Sequence, residues 1–412
     1  MSKPEKLGQM IEASLDGYPD KSIGVAVSGG GDSIALLRLV VDWAAGRSVL
    51  VYAYSVDHGL RPEAGAEVDW VKKLCAPLGV QHRTLTWSGW DGRGNLSAAA
   101  RKARYELIAL EALQGGVKTV LLGHTQDDQA ETVLMAVTRR AGADGLAAMP
   151  VSKDDKGLRW VRPLLAATRS DLREHLAAID QIWIDDPTNE DANFERVRMR
   201  QAKDTLNGLG ITADALSDLA TNMQDTRDAL VVMTNAALRG SATFVLGNVC
   251  FDKRGFLQQT LEIQRRLLRK SFGYVAPKAS LPRRDGMTLA LTVIAQGKDT
   301  SLGGCLVLVK TNSIWIVREP NAVKALETSI DAIWDDKWRV NGPATQQDLV
   351  IRALGEIGLK ECLEWRDHEI PRPALLSSPS IWHGDRLIAA PLAKHSADWS
   401  AKTILGPEDY YS

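Results

Sequence analysis

A six-residue string, Ser28-Gly29-Gly30-Gly31-Asp32-Ser33, joins an apolar run at 23–27 to an apolar-periodic stretch at 34–43. A short apolar run that stops at glycines and restarts with helical spacing predicts strand, tight turn and helix. Glycines let the main chain approach a ligand closely. The helix that follows offers free N–H groups and the positive end of its dipole, which suit phosphate oxygens. Ser28 and Ser33 add hydroxyl groups. The string carries neither the lysine of the common P-loop nor the G-x-G-x-x-G spacing of dinucleotide sites. Positive charge for a phosphate ligand must therefore come from elsewhere, and Asp32 suggests Mg²⁺.

The same alternation continues over the first 140 residues. Apolar runs at 23–27, 49–55, 80–86 and 117–122 alternate with helical patterns at 34–43, 64–78, 97–113 and 127–139. Strands separated by helices require crossover connections, which predicts an α/β domain with a doubly wound, mostly parallel sheet covered on both faces. Ligands of such sheets bind beyond the carboxyl ends of the strands. With 412 residues, two or three domains are expected. Fifty basic side chains almost balance 51 acidic ones, so nucleic-acid contact must come from local patches. The four cysteines, Cys75, Cys250, Cys305 and Cys362, are isolated, which argues against a zinc site or a thiol relay. No leader pattern and no long apolar run is present, so a cytoplasmic protein without membrane association is expected.

A second polar string, Gly123-His124-Thr125-Gln126-Asp127-Asp128-Gln129-Ala130-Glu131-Thr132, follows the run at 117–122. His124, Asp127, Asp128 and Glu131 fall at i, i+3, i+4 and i+7, one face of a helix that starts at a strand's carboxyl end. Such carboxylates hold Mg²⁺ through oxygen or orient an ammonium group, and the spacing leaves both open. The competing reading, an acidic first turn that caps its helix, is common for Asp-Asp pairs. Asp57 and His58 close the second strand, where a nucleotide's base or ribose is expected. Arg101, Arg104 and Tyr105 recur at helical spacing after Asn95 and are candidates for neutralising phosphate charge.

Beyond 160 the pattern is less regular: Arg162-Pro163-Leu164-Leu165, a helix at 168–178, Ile182-Trp183-Ile184, an acidic turn through Asp186-Pro187-Thr188-Asn189, then Arg196, Arg198 and Arg200. The organisation expected is a catalytic domain over 1–205, a helical connector and α+β part over 206–330, and a small C-terminal domain over 331–412. Within the second part, strands are expected at 242–251, 288–293, 305–309 and 313–317, with a basic helix at 261–272. Trp338, Trp365 and Trp382 are expected in the core.

The glycine string resembles the pyrophosphate-binding loop of the N-type ATP pyrophosphatases, the PP-loop superfamily. Together with Asp57-His58-Gly59-Leu60-Arg61, Asn95-Leu96, the 123–132 string, Arg162-Pro163-Leu164, Asp186-Pro187-Thr188-Asn189 and the 194–200 arginines, it resembles the tRNA(Ile)-lysidine synthetase family over about the first 200 residues. The match is looser afterwards, through Leu302-Gly303-Gly304 and Ile370-Pro371-Arg372. The resemblance implies a Rossmann-like PP-loop fold and the joining of free L-lysine to C2 of the first anticodon cytidine in a tRNA-Ile bearing CAU. ATP is consumed to AMP and pyrophosphate through an adenylated base. It further implies ATP held by Ser28, Gly29, Gly30, Gly31, Asp32, Ser33, Asp57, His58 and His124, and Mg²⁺ on Asp32 and Asp128. Catalysis would fall to Asp32, Asp127, Asp128, Glu131, Arg101 and Arg104. tRNA phosphates would meet Arg196, Arg198, Arg200, Arg265, Arg266 and Arg269. A thiolase of the same superfamily would need paired thiols, which the scattered cysteines do not supply. A binding module without catalysis would have no use for the acidic set.

Overall fold

The computed structural model describes residues 3–59, 64–90, 92, 94–185, 195–343, 348–367, 370–396 and 398–410. The chain divides into two compact units, Met1–Arg227 and Asp228–Ser412. The expected motifs at 60–61 and 186–189, and Phe194, lie outside the described residues.

In the first unit the strands are β1 (Ser22–Ala26), β2 (Leu50–Asp57), β3 (Gln81–Thr86), β4 (Thr119–Leu122), β5 (Ser152–Asp155) and β6 (Leu158–Val161). They form one sheet in the order β3-β2-β1-β4-β6-β5, parallel except for the edge strand β5. Chain order reverses between β1 and β4, the switch point of a doubly wound sheet and the place where such folds bind ligands. The helices are α1 (Lys3–Ser14), α2 (Gly31–Ala44), α3 (Ala64–Cys75), α4 (Leu96–Gln114), α5 (Gln126–Thr138), α6 (Ala143–Leu146), α7 (Arg169–Ala178), α8 (Glu195–Gln201), α9 (Lys203–Gly208) and the start of α10 (Ala213–Ser241).

Both faces of this sheet are covered. Leu7 and Ile11 of α1, Ile34, Leu37 and Val40 of α2, and Leu172 and Leu176 of α7 pack with Ile23 and Val25 on one side. Ile108, Ala109 and Ala112 of α4 pack with Tyr54, Val120, Leu122 and Trp160 on the other. Burying rows of aliphatic side chains on two faces makes β1 and β4 the rigid centre of the unit. The glycine loop and the acidic helix both start at the carboxyl ends of those two strands.

In the second unit β7 (Ala242–Val245), β8 (Asn248–Asp252), β9 (Thr300–Leu302), β10 (Cys305–Val309) and β11 (Ser313–Arg318) form an antiparallel sheet in the order β7-β8-β11-β10-β9. Strands β12 (Glu327–Ser329), β14 (Leu349–Ala353), β15 (Pro379–His383) and β16 (Arg386–Ala389) form another sheet, and β13 (Trp338–Asn341) pairs with β17 (Ser400–Thr403). Helices α11 (Lys253–Leu257), α12 (Leu261–Val275) and α13 (Arg284–Ala295) accompany the first of these sheets. Trp338 and Trp382 are buried, as expected of core residues, and Trp365 packs against the same cluster as Trp382.

Two expectations need correction here. The strand expected at 288–293 is part of α13. The β-branched composition of that stretch is overridden by Met287, Ala290, Leu291 and Ile294, whose i, i+3, i+4, i+7 spacing gives a helix one buried stripe. The single strand expected at 242–251 is the hairpin β7–β8, turned at Leu246 and Gly247, both with positive φ.

Candidate functional site

Ser22–Ala26 ends at the glycine loop, and the loop is braced from within. The Ser33 hydroxyl donates to the Gly30 carbonyl at 2.9 Å and accepts from the Ser28 amide at 3.2 Å. Ser33 is thus a strut of the loop, and its hydroxyl also lies 3.3 Å from that of Ser28, the exposed member of the pair. Gly29 takes a φ of 91°, which a side chain would strain. The strap at 182–185 lies against the same loop. The Ile184 amide donates to the Gly29 carbonyl at 3.0 Å, and the Trp183 ring lies where a Cβ on Gly31 would touch it.

The acidic helix begins beside that loop. A Cβ on Gly123 would stand 2.9 Å from the Asp32 carbonyl oxygen, so only glycine lets β4 run out so close to the start of α2. Helix α5 then opens with a capping box. Thr125 is the cap, its amide and hydroxyl donate to Asp128 Oδ2 at 2.9 and 3.0 Å, and the Asp128 amide donates back. The capping reading of the Asp-Asp pair is therefore correct for one oxygen of Asp128. The other oxygen is free to do something else.

That second oxygen meets Arg169. The guanidinium donates to Asp128 Oδ1 at 2.6 Å, to Glu131 Oε1 at 2.8 Å and to Asp32 Oδ2 at 3.4 Å. The Arg169 amide donates to Asp127 Oδ2 at 2.9 Å. All four carboxylates singled out in the sequence thus converge on one residue. Arg200 adds a bond to Glu131 Oε1 at 2.6 Å and Lys203 one to Asp127 Oδ1 at 2.8 Å. Asp127, Asp128 and Glu131 are each buried, and a buried carboxylate is tolerated only when cations and donors compensate it.

The protonation pattern follows from these partners. Burial raises the Asp128 carboxyl, but Arg169, the Thr125 amide and His124 outweigh it and hold it below the usual range. Burial likewise acts against Asp127, and the Arg169 amide and Lys203 reverse it. At Asp32 burial prevails and the carboxyl sits above its ordinary value in spite of Arg169. His124 is pushed down to about 3, first by burial and then by Arg162, Arg101 and Arg104, with Asp128 opposing. Its ring is neutral at neutral pH, and Nδ1 has no partner among the described residues.

The remaining expected residues fall into two sets. Arg101 and Arg104 flank the Tyr105 ring at 5.4 and 5.6 Å and lie within electrostatic reach of His124. Arg104 also acts on His58, whose ring meets Trp87 edge-on at 5.8 Å. Asp57 Oδ1 accepts from the Gly59 amide at 2.8 Å and shapes the turn after β2. The nucleic-acid candidates differ in their surroundings. Spaced two apart, Arg196, Arg198 and Arg200 do not form one row in α8. Positions i and i+4 share a face, so Arg196 and Arg200 turn to the acidic helix while Arg198 is exposed. Arg265 and Arg266 fold back on Glu262 with side chains 16 % and 12 % exposed, and Arg269 is the open member of that trio.

A cavity of about 490 Å³ adjoins this array. Asp127, Glu131, Arg169, Arg200 and Lys203 form its charged side, and Leu134, Met199, Leu206, Ile211 and Leu216 its apolar side. Among the described residues no group of three His, Cys, Asp or Glu side chains could hold a metal ion. Asp32 and Asp128 nevertheless already converge on one cation, the guanidinium. Two hard carboxylates are a fitting protein contribution for Mg²⁺, which takes its other ligands from substrate phosphates and water.

The PP-loop domain family matches residues 3–203. A tRNA(Ile)-lysidine synthase of Ruegeria pomeroyi is 42% identical over 98% of this chain and 96% of its own length. The chain belongs to the tRNA(Ile)-lysidine synthase family. Relatives with the same name from a Bradyrhizobium species (38% identical, 72% of this chain, 89% of that one) and from Wolbachia pipientis (30% identical, 91% and 89%) agree.

Sequence reasoning missed Arg169. It stands at the first position of α7, behind the capping box of Thr168 and Asp171. A cation at a helix N-terminus opposes the dipole, so the residue breaks a local rule. Such breaks mark sites where a function outweighs local stability. That was the available signal. Trp183 and Ile184 were visible only as an apolar run, because nothing in one sequence says which loop they cover.

Proposed function

We propose that this chain ligates free L-lysine to C2 of the first anticodon cytidine of a tRNA-Ile with anticodon CAU, using ATP and releasing AMP and pyrophosphate. The observation that carries the reading is the joining of the glycine loop to the acidic helix: Gly123 abuts the Asp32 backbone, and one guanidinium spans Asp32, Asp128 and Glu131. A phosphate cradle and a wall suited to an amine share one crevice.

In this reading the C2 carbonyl oxygen of cytosine attacks the α-phosphorus of ATP, and the bond to pyrophosphate breaks. The amides of the glycine loop and the start of α2 bind the departing pyrophosphate. Asp32 and Asp128 would hold Mg²⁺, which supplies charge stabilisation to the phosphates. Arg101 and Arg104 add positive charge from α4, the electrostatic support that dominates such transfers. Neutral His124 is suited to hydrogen bonding rather than to carrying charge.

The lysine ε-amine then forms the new bond to C2, and AMP leaves with the former carbonyl oxygen. A lysine amine has a reference pKa of about 10.4 and must lose a proton before attack. Glu131 Oε1 accepts from Arg169 and Arg200, whereas Oε2 is buried without a partner among the described residues. That oxygen is the acceptor left for an ammonium group and for its proton. The cavity suits the rest of the substrate. Its apolar side takes a four-carbon stem, and Arg173 and Lys203 on its rim suit a carboxylate.

An anticodon base must leave its stack to reach such a crevice, which a single-stranded loop permits at low cost. Arg198, Arg269 and the parts of the chain after residue 205 are the proposed tRNA contacts. The test is incubation with labelled lysine, Mg·ATP and a panel of purified tRNAs, followed by nucleoside analysis. Lysine- and tRNA-dependent AMP, with label on a CAU-bearing tRNA-Ile, is expected. ADP as the product would overturn the reading.

A further inference from the structure

Arg169 touches both halves of the proposed reaction. Its guanidinium lines the cavity beside Glu131, and the same group reaches Asp32 at the start of α2. Its side chain is 21 % exposed, and three of its donors are spent on three carboxylates. Helix α7 gives it no electrostatic reason to be there, since a cation at that end opposes the dipole. The chain also holds it by its main chain, through the amide bond to Asp127 and the Thr168–Asp171 box.

A metal on Asp32 and Asp128 must share Asp128 Oδ1 with the guanidinium, because Thr125 holds Oδ2, and an ammonium group at the open Glu131 Oε2 would stand beside the same guanidinium on Oε1. The array has four carboxylates against Arg169, Arg200 and Lys203. Adding a metal and an ammonium group to it with the guanidinium in place would crowd positive charge in a partly buried space. A triphosphate resolves this, because its oxygens are equal or better partners for a guanidinium than a carboxylate is.

We propose that Arg169 is the positioning residue that couples nucleotide to amine: its guanidinium holds the loop and helix carboxylates in one array, and a metal-bound triphosphate draws it off and opens the acidic wall to lysine. The inference rests on the function proposed above and adds to it an order of events. Lysine binds weakly until the nucleotide has arrived, so lysine is not held where no activated base can form. By thermodynamic reciprocity lysine then strengthens nucleotide binding by the same factor.

The experiment is calorimetric titration of L-lysine into the full chain, with and without the Mg²⁺ complex of the α,β-methylene analogue of ATP, for the unaltered protein, R169M and R169K. For the unaltered chain the nucleotide should tighten lysine binding by about fivefold or more. In R169M the two lysine affinities should agree within about twofold, near the tighter value, because the guanidinium that the nucleotide would have to draw off is gone. R169K places a point charge that cannot span three carboxylates and should show a reduced coupling. R169K decides the matter if thermal melting shows R169M unfolded: wild-type coupling in it overturns the proposal. Wild-type coupling in R169M, or none in the unaltered chain, also overturns it. The two readings separate cleanly. Lysine-dependent AMP formation without coupling leaves the ligase standing and removes Arg169 from this role, whereas no lysine-dependent AMP removes both.

Discussion

Asp128 in the first unit and Lys337 in the second are both buried charged side chains, and they are held in opposite ways. Asp128 sits among charges, with Arg169 at 2.6 Å, His124 nearby and the Asp32 and Glu131 carboxylates sharing the same guanidinium. Lys337 sits among dipoles and rings. Its ammonium donates to the carbonyls of Gly247 and Val275 and lies 4.9 Å and 5.5 Å from the ring centres of Tyr274 and Trp338. Asp335, the acid whose charge acts on it, is tied up in a two-point bond with Arg318 at 2.8 and 2.9 Å. Burial brings Lys337 down to about 7, with Cys305 and Asp335 resisting and Arg318 adding.

The difference is between a charge kept for exchange and a charge kept for assembly. Ion pairs in a network can be traded for the charges of a ligand, because each group retains some partner throughout. A single ammonium clamped by main-chain carbonyls has nothing to trade. It ties the β7–β8 turn, the end of α12 and the start of β13 together, and Gly247 is needed because a Cβ there would strike the Trp338 ring. Such an arrangement specifies packing at a cost in stability.

The sharpest way to break the comparison is at the exchangeable site. Asp32→Ala removes one of the two proposed metal ligands, and AMP formation should fall on the order of 10³-fold with the melting temperature near that of the parent. Near-normal turnover would take Asp32 out of the chemistry.

At the assembly site the signal is stability against pH. Lys337 has a folded value of about 7 against 10.5 when free. Between those values the unfolded chain binds more protons, so stability rises with pH there, at up to about 1.4 kcal/mol per unit. Lys337→Met should flatten that limb in denaturant titrations from pH 7 to 10. An unchanged slope would show that burial does not depress Lys337 as described.

The acid limb probes the first unit. Asp127 and Asp128 are depressed, so their contribution is present above the ordinary carboxylate range and is lost as pH falls through their folded values. His124, neutral down to about 3 against 6.5 when free, works in the same direction over that window. His124→Gln should therefore soften the fall of the melting temperature between pH 6.5 and 4, and an identical acid limb would place the sensitivity elsewhere. The smallest effect is expected at α12. Arg269→Glu should lower the salt slope of tRNA binding by about 1, whereas Arg266→Glu should chiefly lower thermal stability by repelling Glu262. Equal salt slopes for the two variants would contradict the different exposure of their side chains.

Much of the first unit was legible because its signals are local. Strand runs, helical spacing and the two glycine-led strings each lie within about a dozen residues, and the crossover rule then places both strings at the carboxyl ends of parallel strands; that β1 and β4 are neighbours is read from the fold. The second unit was less so. Its antiparallel strands are short, and at 284–295 β-branched composition competed with a helical stripe that only the packing of Met287, Leu291 and Ile294 resolves.

One linear string therefore determined that this chain would carry a main-chain cradle for phosphate and a row of acids on a helix face, since both depend on neighbours a few positions apart. Which cation the acids answer to was decided by the fold alone. Arg169 is 41 residues from Asp128 and 137 from Asp32, and Arg200 is 69 from Glu131. Electrostatic partners are chosen by distance in space, and distance in space between remote segments exists only after the sheet has closed and its helices have packed.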